Sequence, residues 1–97
     1  MQLSEKERHI LIQFFSNKPV LKVYVFGSYS RSEAREDSAL DLLVELDYSQ
    51  PIGLSFVKMK LDLEHMLHKR IDFVSYKAVS RYILPYINHE KKLIYER

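Results

Sequence analysis

Apolar residues recur at helical spacing through Leu3, Ile10, Leu11, Phe14 and Phe15, which predicts an amphipathic helix with one buried stripe. Ser4 and Glu7 make a capping box at its start, since each side chain can satisfy an end donor of the first turn. Asn17-Lys18-Pro19 stops it. Val20 to Phe26 is β-branched and aromatic and predicts a buried strand, which runs into Gly27-Ser28, where a strand-to-helix turn fits. From Leu40 to Leu46 polarity alternates: Leu40, Leu42, Val44 and Leu46 point one way, Asp41, Leu43 and Glu45 the other. Asp47 to Gly53 reads as a turn region around Pro51. Phe56 to Leu67 is a broad amphipathic helix through Met59, Leu63 and Met66. Arg70 to Tyr76 predicts a third strand, its apolar run interrupted by Asp72. Val79, Tyr82, Ile83, Tyr86 and Ile87 return to helical spacing, which Pro85 is expected to break or kink. The polar run from His89 to Lys92 reads as a solvated terminus.

Helices alternating with strands imply an α/β domain whose sheet is covered by helices, although strand order is not legible from the pattern. The 97 residues predict one domain, 1–97, with no internal repeat or composition shift. A hydrophobic share of 46% supports a globular core and excludes disorder. There is no cysteine, hence no disulfide or thiolate metal site. The first residues, Met1-Gln2-Leu3-Ser4-Glu5-Lys6, lack the apolar core of a signal peptide, and no apolar run suits a membrane span. A cytoplasmic protein without a membrane partner is expected. A net charge of +2 is too mild to point to nucleic acid as a direct ligand.

The chemistry concentrates in Gly27-Ser28-Tyr29-Ser30-Arg31 followed by Ser38-Ala39-Leu40-Asp41-Leu42-Leu43-Val44. A glycine after a strand lets backbone turn tightly and approach a ligand. Ser28 adds a hydroxyl where free N–H groups would favour phosphate, and Asp41 on a neighbouring strand can hold magnesium beside it. Gly-Ser alone is common in turns, and the Gly-Lys-Ser/Thr of a P-loop is absent.

The whole string is specific. Gly27-Ser28, a polar stretch from Tyr29 to Asp37, and then Ser38-x-x-Asp41-Leu42-Leu43-Val44 resembles the signature of the DNA polymerase beta-like nucleotidyltransferases. The match is to their minimal branch, small prokaryotic domains encoded beside HEPN proteins. Arg70-Ile71-Asp72-Phe73-Val74 continues it, with the family's third carboxylate falling on Asp72. The resemblance implies the polymerase beta-like fold, with a small mixed β-sheet covered by helices. It implies carboxylates holding Mg2+, ATP as substrate, Gly27 and Ser28 on the phosphates, and Arg31 neutralising charge on the leaving pyrophosphate. Minimal members act as antitoxins that inhibit a HEPN ribonuclease partner by binding it or by adenylylating a tyrosine on it.

One departure matters. The family pattern places an aspartate where this chain has Ala39, on the same strand face as Asp41, so Asp41 and Asp72 must serve without it. Two origins compete: a substitution made to disable the enzyme, favoured by the intact surroundings, and a natural loss in a member that works by binding alone. Ser32 also stands where the family is commonly glycine-rich. The alternatives for other residues are plainer. Asp72 also suits pairing with Arg70 or Lys69 at a sheet edge, and Arg31 suits a surface arginine among Glu33, Arg35 and Glu36. His65 and His68 have helical metal spacing but no third ligand, so an exposed helix face is the better reading. The seven tyrosines are assigned to core and interface rather than to stacking on bases.

Overall fold

The computed structural model describes residues 3–35 and 37–97. Its elements run α1 (Glu5–Phe15), β1 (Val20–Phe26), β2 (Leu40–Leu46), α2 (Ser55–Leu67), β3 (Ile71–Ser75), a 3-10 turn (Tyr76–Ala78), α3 (Leu84–Glu90) and β4 (Lys92–Glu96). The four strands form one sheet in the order β3-β2-β1-β4. β1 is antiparallel to β2 and to β4, whereas β2 and β3 are parallel. A parallel pair needs a crossover, and α2 supplies it. The sheet is therefore mixed, as expected.

Alternation divides the sheet into two unlike faces. Val23, Val25, Leu42, Val44 and Phe73 point into one core with Leu11 and Phe15 of α1 and Met59 and Leu63 of α2. Aromatic contacts tie both helices to β3: Phe15 stacks on Phe73 at 6.1 Å between ring centroids, and Phe56 meets the same ring at 4.9 Å. The opposite face carries Phe26, Asp41 and Asp72 side by side across three strands. α3 lies over this second face, where Ile87 shares a cleft with those three residues. Among the described residues, no helix is long and apolar enough to cross a membrane.

The capping box forms as predicted, with Ser4 Oγ accepting from Glu7 N at 3.0 Å and Glu7 Oε1 accepting from Ser4 N at 3.1 Å. Three expectations need correction. Leu67, not Met66, completes the buried stripe of α2, and Met66 is 47% exposed. The helical run expected from Val79 to Ile87 is cut short: α3 begins only at Leu84, with Pro85 in its first turn, where N–H groups are to spare and proline's fixed φ fits. Of the apolar residues around it only Ile87 is buried, while Tyr82, Ile83 and Tyr86 stay exposed. Finally, the run from His89 to Lys92 is not a solvated terminus: His89 and Glu90 end α3, and Lys92 opens β4, in which Lys22 lies opposite Glu96 and Val23 opposite Tyr95.

Candidate active site

The two candidate carboxylates meet because β2 and β3 are parallel and in register: Asp41 is paired with Asp72, as Leu42 is with Phe73. The start of this pair is pinned by Leu40 N donating to Arg70 O at 2.9 Å and by Arg70 Nη2 donating to Asp37 O at 2.7 Å. Arg70 thus braces the strand ends instead of neutralising Asp72. Lys69, the other basic neighbour, is committed to Glu7 at 2.7 Å and to the Tyr29 hydroxyl at 2.9 Å.

Two carboxyls this close resist carrying two charges. Asp41 is pushed up to about 7, first by burial, then by its hydrogen bond to Asp72 and that group's charge, with Glu90 adding and Arg31 opposing. The native state therefore holds a proton that the unfolded chain releases near 3.8. Stability from this group is full below 3.8 and is lost as pH rises towards 7, since the folded form binds the extra proton in that window. Asp41→Asn is expected to raise the melting temperature by a few degrees at pH 8 and to change it little at pH 4. Calorimetric melts at the two pH values check this, and an equal shift at both would exclude charge repulsion as the cause.

Gly27 is placed by the same crowding. Its φ is +72°, and a Cβ there would lie 2.1 Å from Asp41 Oδ2. The turn thus calls for glycine, and any side chain there would also push the Asp41 carboxylate out of its place. The segment after it is not the helix expected. Arg31 N donates to Gly27 O at 3.1 Å and Glu33 N to Ser28 O at 2.8 Å, a single wound turn that ends where Ser32 takes a φ of 59°. Ser28 therefore sits in this turn without a helix dipole behind it. Tyr29 and Ser30 are its buried anchors.

Arg31 is also less available than its position suggests. Its Nη1 donates to Glu90 Oε2 at 2.7 Å and its Nε to Glu33 Oε2 at 3.1 Å. Glu90 additionally accepts from Gly27 N at 2.9 Å. Glu90 is not legible in the sequence, because nothing local links a residue of the last helix to a turn 63 positions earlier. Neither is Lys60, which faces the roughly 570 Å³ cleft beside Asp41 and Asp72 but looks in the sequence like any helix lysine. Ile83 and Ile87 give that cleft an apolar wall. The tyrosines are less scattered than they look: Lys91 Nζ lies 4.2 Å from the Tyr24 ring centre, and Lys77 Nζ 4.2 Å from that of Tyr48.

Ala39 is half-buried, two residues ahead of Asp41 and one ahead of β2. Among the described residues, no three acidic or histidine side chains are grouped so as to hold a metal. His65 and His68 stand with ring centres 6.3 Å apart on an exposed face. Two adjacent carboxylates nevertheless suit magnesium, which commonly takes one or two protein carboxylates and completes its octahedron with water and phosphate oxygens. The donor set fits one such ion and lacks the side chain that would complete a set for two.

These features belong to a recognisable class. A Methanocaldococcus jannaschii protein, provisionally named a protein adenylyltransferase, is 34% identical over 79 residues, covering 81% of this chain and 83% of its own. A crystal structure of a toxin-antitoxin with AMP-PNP contains a chain of the same fold, with a TM-score of 0.79 at 17% identity, over 93% of this chain and 73% of that one. So does the complex of a tri-AMPylated Shewanella oneidensis HEPN toxin with its MNT antitoxin, with a TM-score of 0.74 at 15% identity, over 98% and 74%. The polymerase beta nucleotidyltransferase domain matches residues 9–97, so the paired carboxylates and the glycine turn lie within it, and the chain belongs to that family.

Proposed function

We propose that this chain is a protein adenylyltransferase-type antitoxin, whose reaction moves AMP from Mg-ATP to a hydroxyl, that of a tyrosine, on a HEPN ribonuclease toxin. The juxtaposition of Asp41 and Asp72 beside the Gly27 turn, in a chain of this family, carries the reading. In the reaction, the acceptor oxygen bonds to the α-phosphorus, the bond to pyrophosphate breaks, and the hydroxyl proton leaves to solvent. Asp41 and Asp72 would hold magnesium, which supplies charge neutralisation on the phosphates. Gly27 N–H, the Ser28 hydroxyl and Arg31 would orient the triphosphate, and the apolar wall of Ile83 and Ile87 suits a planar ring. Ala39 removes one ligand, so transfer by the present chain is expected to be slow.

A second reading rests on that same alanine: an inactive antitoxin that neutralises its HEPN partner by masking it. Both readings require a complex. Tyr82, Ile83 and Tyr86, exposed by 75, 54 and 76%, offer an anchor of the aromatic kind that interfaces favour. Specific interfaces bury at least about 1,200 Å² in total, so the two proteins, expressed together, are expected to co-elute in size-exclusion chromatography. Elution of this chain alone would remove the antitoxin assignment. Transfer of labelled AMP onto the partner then separates the first reading from the second.

A further inference from the structure

The proposed phosphate site already contains an anion belonging to the chain itself. One carboxylate oxygen of Glu90 accepts from Gly27 N at 2.9 Å, and the other accepts from Arg31 Nη1 at 2.7 Å. A backbone N–H at a glycine turn and a guanidinium fork are the donors that phosphate oxygens select. Glu33 takes a further edge of Arg31, though that carboxylate is 65% exposed and the weaker of the two. The arginine assigned to the triphosphate is thus neutralised before substrate arrives.

The backbone of Glu90 is anchored separately from its side chain. Its carbonyl accepts from the Ser30 hydroxyl, and the following residue, Lys91, donates its N–H to Ile87 O at 2.8 Å. The carboxylate can therefore swing away on its own rotatable bonds while the junction of α3 and β4 stays docked on the turn. Burial alone would pull this group towards neutrality, but the hydrogen bonds from Arg31 and Gly27 outweigh it and hold Glu90 below the usual carboxylate range. It remains charged at working pH.

We infer that Glu90 is a resident competitor of the nucleotide: its carboxylate occupies Gly27 N–H and Arg31, and a nucleoside triphosphate binds by displacing it. This rests on the reading of the Gly27 turn as the phosphate site. Glu90 then sets nucleotide affinity, lowering it for every triphosphate and leaving a ligand without phosphates unaffected. Glutamine at the position keeps an acceptor for Gly27 N–H but withdraws the charge from Arg31.

The experiment is an NMR chemical-shift titration of the intact chain with a non-hydrolysable ATP analogue plus magnesium, and separately with adenosine. Glu90→Gln is expected to bind the analogue about three- to tenfold tighter, as befits the loss of one partly exposed charge-assisted pair. Adenosine affinity should not change, and the gain should vanish when Arg31→Ala is already present. Equal or weaker binding of the analogue overturns the inference. So does a loss shared by analogue and adenosine, which would make Glu90 a brace for the turn. If the parent binds the analogue and Asp41→Asn abolishes binding, the proposed function survives such a result. If folded parent and variant both fail to bind it, the phosphate assignment falls together with the inference.

Discussion

Ala39→Asp is expected to raise nucleotide transfer by roughly 100- to 1,000-fold, the range commonly lost when one electrostatic element of an active site is removed. Residue 39 precedes β2 by one position and Asp41 by two, so extended backbone would bring the new carboxylate to the face shared by Asp41 and Asp72. A third carboxylate would complete a donor set suited to two magnesium ions, which would supply more charge neutralisation on the phosphates. Without magnesium the variant should melt at a lower temperature than the parent, because another negative group joins a pair in which Asp41 already retains its proton to about 7. Added magnesium should reverse that order. The assay is transfer of labelled AMP to purified partner at saturating magnesium. Equal rates in the two proteins would refute the metal assignment, whereas silence in both would leave an antitoxin that works by binding alone.

Gly27→Val is expected to abolish ATP binding. Two independent penalties act there. A φ of +72° is one that side chains rarely adopt, and the new Cβ would meet Asp41 Oδ2 at 2.1 Å. Strain of the first kind typically costs about 1–3 kcal/mol, and the second displaces the carboxylate proposed to hold magnesium. The far-ultraviolet circular dichroism should stay close to that of the parent, since the turn lies outside every helix and strand. Calorimetry with Mg-ATP is the check; unchanged affinity would show that the phosphates bind elsewhere. A double-mutant cycle separates the penalties. In thermal stability, the glycine substitution combined with Asp41→Ala should cost only its backbone strain, because the clashing oxygen is gone.

Much of this architecture is legible in the chain because strands with one buried face announce themselves. Val20–Phe26 and Leu40–Leu46 form with the bounds that alternation and β-branching predict, and the Ser4 and Glu7 box marks the first helix. β4 is not legible, since Lys92, Leu93, Ile94, Tyr95 and Glu96 make a short mixed run whose strand character comes from β1 beside it. Pro85 misleads because proline forbids a helix interior but favours a first turn, and only the position of that turn decides. In the site, Gly27, Ser28 and Asp41 were readable as a string, and Asp72 as a polar interruption of an apolar strand. Arg31 is readable as a cation with Glu33 nearby, but its second carboxylate partner, Glu90, is not. Glu90 reaches it from 59 positions away, at the junction of α3 and β4.

Asp72 has a second consequence that follows from strand order. β3 has a neighbouring strand on one side only, so Ile71-Asp72-Phe73-Val74-Ser75 is the rim of the sheet. Rims with open hydrogen-bonding groups and apolar side chains invite pairing with another copy, and a charge within the strand is a common deterrent. Asp72 is exposed in that strand, between buried Ile71 and Phe73. The carboxylate proposed to hold magnesium thus also places a charge on this open rim, where such charges oppose edge-to-edge pairing. Removing it to silence catalysis would leave an uncharged, β-prone ribbon at the border of the molecule. A substitution at position 72 would thus alter the rim of the sheet together with the proposed magnesium site.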